Sequence, residues 1–372
     1  MPLSPSEVGR RVAESRNRAG VTQQQLASGV GLDRSAIAKI ETGDRRLSAL
    51  ELARVAEFLN DRIEWFVFDA PEPIIARRNV QDPGAASPRI DDEIERLSRA
   101  VTFVLEHDVA FTLPAAPIFD RPSNLESANA LARRARRSMN ADERGPLLDL
   151  GAAVLRIGLV AFSVELGVDA ADAAMVRLPE GGVSVVNATL KTGRRRLALA
   201  HELGHLLIND GYTIDFSVAE HDDADRRESM LDAFARALLL PDRAIQDEWD
   251  RRPTVTRDDL RTAAVVVAST YRVDMATLAR RLRDLRLVDT AAANFIRGIS
   301  TNRSDIVEWG LNTLGELEPG TLPLEYQRAV LRLHREEIVT PERARDLLLD
   351  TWDEDLPPLS VRPEHDVWDF VS

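Results

Sequence analysis

Residues 200–208 read Ala200-His201-Glu202-Leu203-Gly204-His205-Leu206-Leu207-Ile208, and further on the chain reads Glu228-Ser-Met-Leu-Asp232. Leu197, Leu199, Leu203, Leu206 and Leu207 recur at helical spacing, so a helix is predicted over Leu197–Ile208, stopped by Asn209-Asp-Gly211. Residues four apart share one helix face, so His201 and His205 can offer two imidazoles to one ion. Glu202 lies about 100° further round the helix, where a carboxylate reaches water on the ion rather than the ion itself. A lone histidine on an apolar helix is usually a packed core residue. Two histidines in this frame, with Glu between them, point to a metal centre instead.

A catalytic zinc takes three protein ligands and keeps one position open. The third ligand should come from a second helix, and Ala224–Leu240, ended by Pro241, has the pattern. Glu228 on that helix is the candidate ligand. Asp232 is four residues on and shares its face, where it can hydrogen-bond a ring nitrogen of a ligand histidine and fix its tautomer. Phe234, Leu238 and Leu239 turn inward. No cysteine occurs among the 372 residues, so disulfides and thiolate ligands are excluded.

Upstream of these helices, Gly182-Val-Ser-Val-Val186 is the best strand candidate, and we expect it to hold a substrate in extended form by strand addition. Ile90–Leu105, Leu125–Ser138 and Leu147–Leu166 read as helices, Thr256–Leu285 as helix, turn, helix, and Thr340-Pro341-Glu342 as a helix start. Arg194-Arg-Arg196 precedes the metal helix, either as a solvated patch or as a grip on an acidic substrate. Tyr212 and His221 are candidates to stabilise an oxyanion. His107, His334 and His365 lack such a context.

Toward the N-terminus, residues 5–67 alternate short amphipathic helices with turns. Thr22-Gln-Gln-Gln-Leu-Ala27, Gly29-Val-Gly31 and Asp33-Arg-Ser-Ala-Ile-Ala-Lys-Ile-Glu-Thr-Gly43 form a two-helix unit around a glycine turn, with Asp33 as N-cap of the second helix. Ile37 and Ile40 face inward, which leaves Arg34, Ser35 and Lys39 outward, near the end of a helix that can enter a major groove. Residues 1–68 hold ten Arg/Lys against nine Asp/Glu, whereas the whole chain carries −13. That balance excludes a general nucleic-acid coat but not a module with its basic residues on one face. The modest charge implies ordinary affinity and points to dimerisation. The N-terminus has no basic-then-apolar leader, and no apolar run approaches the roughly 20 residues of a bilayer span. We expect a soluble cytoplasmic protein that makes no membrane contact.

Ala200-His-Glu-Leu-Gly-His205, followed by Glu-x-x-x-Asp-x-Phe-Ala-x-x-Leu-Leu-x-Pro from Glu228 to Pro241, resembles the ImmA/IrrE family of zinc peptidases over roughly Ser127–Leu285. Val185-Val186-Asn187 ahead of Arg196 is similar to that family's approach to its metal helix. The resemblance implies a gluzincin-like fold, Zn²⁺ on His201, His205 and Glu228, and Glu202 as base. Residues 5–67 resemble the lambda-repressor-like (XRE) helix-turn-helix family, which adds Gln23, Arg45 and Arg46 as phosphate contacts.

The fold class expected is multidomain and mainly α. It comprises an all-α helix-turn-helix domain (1–68), a Pro/Ala/Gly-rich linker (69–89), an α+β zincin-like metallopeptidase domain (90–287) and a helical C-terminal region (288–372) that either gates the zinc or binds a partner, or is plain structural packing. The function expected is a regulator that binds double-stranded operator DNA. It is fused to a zinc endopeptidase that cleaves a cytoplasmic repressor or antitoxin in a stress, phage or mobile-element response. The alternative is a non-proteolytic transcription factor or antitoxin-like regulator whose zinc domain is a sensor or scaffold.

Overall fold

The structure, a computed structural model, describes residues 4–19, 21–59, 63, 66, 75–78, 88–209, 221–252, 254–311, 315–352 and 356–359. The chain divides into two compact units, Met1–Glu72 and Pro73–Ser372. In the first, α1 (Pro5–Arg18), α2 (Gln23–Val30), α3 (Arg34–Glu41) and α4 (Ala49–Leu59) enclose Val12, Leu26, Ala27, Val30, Ile37, Ile40, Val55 and Leu59. Capping boxes start three of these helices, Ser4 with Glu7, Thr22 with Gln25 and Ser48 with Glu51, each satisfying backbone N–H groups that the first turn leaves open. Gly31 at φ +74 ends α2, and the Leu32 N–H returns to the Ala27 carbonyl at 2.9 Å, which turns the chain tightly into α3. Asp33 occupies the N-cap position of α3 but makes no side-chain capping bond.

The second unit is built on a four-stranded sheet of β1 (Ile75–Arg78), β2 (Leu159–Val164), β3 (Ala173–Arg177) and β4 (Gly182–Asn187), in the order β1-β3-β4-β2. β2 and β4 run parallel, with Leu159 opposite Gly182, and the other pairs are antiparallel. The strand expected at Gly182–Val186 is present. It is central, with both sides paired, so it offers no edge to a substrate strand. Within the stretch expected as linker, Ile75–Arg78 forms the edge strand β1.

Leu147–Leu166, expected as one helix, splits into α7 (Leu150–Leu155) and β2. The break is at Gly158, φ +91, where a Cβ would lie 2.3 Å from the Pro114 carbonyl oxygen, so only glycine passes. Beyond it every residue from Leu159 to Ser163 is buried. A continuous apolar run does not distinguish a strand covered on both faces from a buried helix.

Both faces are covered. Leu159, Ala161, Ala173, Met175 and Val186 face one core with α6 (Leu125–Ser138), α8 (Thr192–Leu207) and α9 (His221–Leu239). Val160, Phe162, Ala174, Val176, Val183 and Val185 face the other, with α5 (Pro88–His107), α15 (Leu324–Arg335) and α16 (Pro341–Leu347). Along the chain between α9 and α15 come α10 (Asp242–Asp250), α11 (Arg257–Tyr271), α12 (Met275–Asp284), α13 (Thr290–Arg297) and α14 (Arg303–Trp309), the first four adding side chains to the first core.

The C-terminal helices are therefore not an accessory to the core. The Tyr326 ring meets Phe162 edge-on at 5.1 Å and its hydroxyl donates to the Leu347 carbonyl, while Arg332 pairs with Asp108 at 2.6 Å. Burying each such aromatic or leucine side chain contributes about 1.5–3 kcal/mol. Removing the layer would expose a full sheet face. No helix among the described residues is long and apolar enough to cross a membrane.

Candidate metal centre and DNA-binding helix

α8 and α9 bring the sequence-predicted metal residues together. His201 and His205 are one turn apart on α8 and almost completely buried, and Glu202 between them is fully buried. From α9, Glu228 Oε2 lies 3.1 Å from His201 Nε2, and Oε1 lies 3.7 Å from His205 Nε2; the two Nε2 atoms are 3.1 Å apart. Asp232 Oδ1 is 2.9 Å from His201 Nδ1. A carboxylate there accepts the Nδ1 proton, which turns the Nε2 lone pair of His201 toward the other two atoms.

This donor set fits a divalent ion. Two imidazole nitrogens and a carboxylate oxygen converge, all lone-pair donors, and a cation satisfies them together. With metal–ligand bonds of about 2.0–2.1 Å, a tetrahedral zinc has ligand–ligand edges of about 3.3 Å. The three separations span that value. Burial raises the Glu228 carboxyl, but hydrogen bonds and charge from the two imidazoles outweigh it and hold the group well below the usual carboxylate range. Among the described residues this is the one cluster of such groups with metal-ligand spacing. His107 stacks on Phe103 and bonds its carbonyl, and His334 is buried in the far core. Tyr212, His365 and the side chain of His221 lie outside the described residues.

Two features of the site were not read from the sequence. Gly204, inside the histidine frame, faces α9; a Cβ there would stand 3.0 Å from both Leu231 Cδ2 and Phe234 Cδ1. The glycine lets the two ligand-bearing helices approach. Its signal was its place in the motif, against its poor helix propensity.

The second is the role of the arginine run, which corrects both expectations for it, a solvated patch and a substrate grip. Arg194–Arg196 are inside α8 and have internal partners. Arg194 pairs with Asp172 at 2.7 Å, Arg195 with Glu318 at 2.7 Å, and Arg196 with Glu316, also donating to the Leu147 carbonyl at 2.6 Å. Burial pushes the Arg196 guanidinium down, and Glu316 opposes that shift.

In the first unit, Arg34, Ser35 and Lys39 are exposed on α3, opposite buried Ile37 and Ile40, as a groove-reading helix requires. Arg46 is also exposed. Gln23 is half-buried and donates to Glu41 at 2.7 Å, the same carboxylate that holds Arg16. Arg45 is half-buried against Glu51 at 2.6 Å. Both are thus engaged within the module.

Residues 164–283 match the family model described as the IrrE N-terminal-like domain, of peptidase family M78, and residues 12–66 match the model described as Helix-turn-helix. The helix-turn-helix match precedes the peptidase match along the chain, the order that the resemblances implied. No curated protein and no solved structure gives a significant match.

Proposed function

We propose that this chain is a DNA-binding transcriptional regulator fused to a zinc-dependent endopeptidase. Its substrate would be a cytoplasmic regulatory protein, a repressor or antitoxin, in a stress, phage or mobile-element response. The observation that carries the reading is the convergence of His201, His205 and Glu228 at 3.1–3.7 Å, with Asp232 on the outer nitrogen of His201 and Glu202 one residue away. A structural site has no use for a carboxylate at that place.

His201, His205 and Glu228 would hold Zn²⁺, which supplies Lewis acidity toward a carbonyl oxygen and makes water acidic enough to act near neutral pH. Asp232 keeps the His201 ring oriented and its Nε2 lone pair inward. Glu202 takes the proton of the attacking water and passes it to the leaving peptide nitrogen, so one side chain acts first as base and then as acid. Arg34, Ser35 and Lys39 would reach base edges of a duplex operator, with Gln23, Arg45 and Arg46 toward phosphates and a second copy on a two-fold site.

The test is Glu202→Gln, which keeps shape and a hydrogen-bonding amide but removes the base. Wild type and variant are expressed in the host, and the intact level of a repressor or antitoxin encoded beside this chain's gene is followed. Loss of its turnover in the variant, with zinc content retained, supports the reading. Equal turnover in both would remove the peptidase from the account and leave the non-proteolytic regulator.

A further inference from the structure

Both lateral edges of the sheet are taken by segments outside the stretch matched to the peptidase family model. The outer edge of β2 is closed at Ser163, whose N–H donates to the Thr321 carbonyl at 3.2 Å and whose carbonyl accepts from Gly320 at 3.0 Å. That cover is anchored. The Ser163 hydroxyl donates to the Leu317 carbonyl, and Glu316 and Glu318 hold Arg196 and Arg195. The outer edge of β3 carries β1, from Ile75 opposite Val176 to Arg78 opposite Ala173. This cover is four residues long and begins shortly after the end of the N-terminal unit at Glu72.

The β3 edge is also the one beside the metal helix. Arg177 at the end of β3 donates to the carbonyl of Leu206, next to His205, and Asp172 just before β3 holds Arg194 of the same helix. β1 itself lies against α8. An extended segment on that edge therefore runs along the metal helix, about 4.8 Å from β3. A peptide presented for hydrolysis must be held extended with its backbone groups satisfied, and addition to a strand edge does both. β4 has no free side, and the β2 edge is closed by an anchored segment.

We infer that the outer edge of β3 is the docking edge for an extended peptide substrate, and that residues 75–78 are a built-in competitor for it; this rests on the peptidase reading. The tether of the DNA-binding unit thus holds the edge until a better strand displaces it. A short linker keeps a tethered segment at an effective concentration on the order of 1 mM. With an intrinsic Kd of the tethered segment for the edge of about 100 µM, that effective concentration weakens an incoming peptide about tenfold.

The experiment uses the full chain loaded with zinc. In one variant Ala76→Pro and Arg77→Pro remove two consecutive backbone donors of β1; in a second, residues 75–78 become Gly-Ser-Gly-Ser. The probes are a fluorescein-labelled synthetic peptide of residues 73–80, followed by anisotropy, and fluorescent casein as a generic substrate. Both variants are expected to keep their zinc and melting transition, to bind the peptide about tenfold more tightly than wild type, and to cut casein correspondingly faster. Equal peptide binding by wild type and variants, or casein cleavage that is present and equal in all forms, overturns the inference while leaving the peptidase reading intact. Unfolding of both variants also overturns it, since β1 would then be a structural strand. Tighter peptide binding with no casein cleavage by any form keeps the docking edge and its competitor and sinks the peptidase reading instead.

Discussion

Glu316, from the C-terminal region, holds the fully buried guanidinium of Arg196 on the metal helix, shortly before His201. The same carboxylate accepts from the N–H of Leu150 at 2.5 Å, so it joins three parts of the Pro73–Ser372 unit. Removing one partner of a buried ion pair strands the other charge and costs about 3–5 kcal/mol. Glu316→Ala is therefore expected to destabilise the Pro73–Ser372 unit by that amount, read as a lower urea midpoint. Exchanging both partners, Glu316→Leu with Arg196→Met, should recover most of the loss. A single variant as stable as wild type would contradict the pairing.

The metal prediction is about one zinc per chain by elemental analysis, lost in His201→Ala and in Glu228→Ala. Asp232→Ala removes the acceptor for the His201 ring proton without removing a ligand, so zinc should still bind, with affinity lower by about 10–100-fold. Zinc retained in full by Glu228→Ala would exclude it from the ligand set.

Both ligand helices, the β4 strand and the helix-turn-helix unit were legible in the sequence because each carries its own local signal. These are a histidine frame at helical spacing, a β-branched run behind Gly181-Gly182, and a glycine turn between capped helices. β2 was not legible, because Leu159–Ser163 is buried on both faces and shows no alternation of polarity. Nor was the purpose of Arg194–Arg196: their acidic partners Asp172, Glu316 and Glu318 are distant in sequence, and a charge run alone does not reveal whether it is solvated or paired. The outward positions of Arg34, Ser35 and Lys39 followed from the periodicity of Ile37 and Ile40, but the ties of Gln23 to Glu41 and Arg45 to Glu51 did not.

Those ties shape the DNA prediction. Arg34→Ala should relax sequence preference in a random-oligonucleotide selection, since a lost base contact costs about 1–3 kcal/mol at that position. Arg46→Ala should weaken all sequences alike and lower the salt slope by about one. Arg45→Ala also breaks the pair with Glu51, so part of its effect should appear as a lower melting temperature of the module. Identical selection profiles for wild type and Arg34→Ala would remove that residue from the reading face.

Acid should unfasten α14 from α11. Asp305 accepts from Arg261 at 2.7 Å and from the Asn302 N–H, and these bonds lower its carboxyl to about 2. A carboxyl depressed in the folded state contributes stability above its unfolded value, and the contribution fades as pH falls toward the folded value. The loss therefore runs from about pH 4 down to 2. Asp305→Asn should be less stable than wild type at pH 7, and the two should draw together near pH 2 in urea titrations. A gap that does not depend on pH would show that the carboxylate charge is not what matters.

Gly204 sets how closely the two ligand helices approach. Replacing it with Ala has opposed effects. A mid-helix Gly→Ala change gains about 1 kcal/mol in propensity. Against this, the new Cβ meets Leu231 and Phe234 at 3.0 Å, and these side chains must shift by a few tenths of an ångström. Overpacking of this kind costs about 1–3 kcal/mol. Net stability should fall only slightly, because the contacts are with the ends of side chains that can yield. Zinc affinity should fall further, because the shift separates Glu228 on α9 from the histidines on α8. Gly204→Val adds two more carbons to the same gap and should lose zinc at concentrations where wild type is saturated, while far-ultraviolet circular dichroism stays helical. Competition with a chelator of known affinity gives the ordering wild type, Gly204→Ala, Gly204→Val. If Gly204→Ala binds zinc as tightly as wild type and melts higher, helix approach is not the reason for glycine at this position.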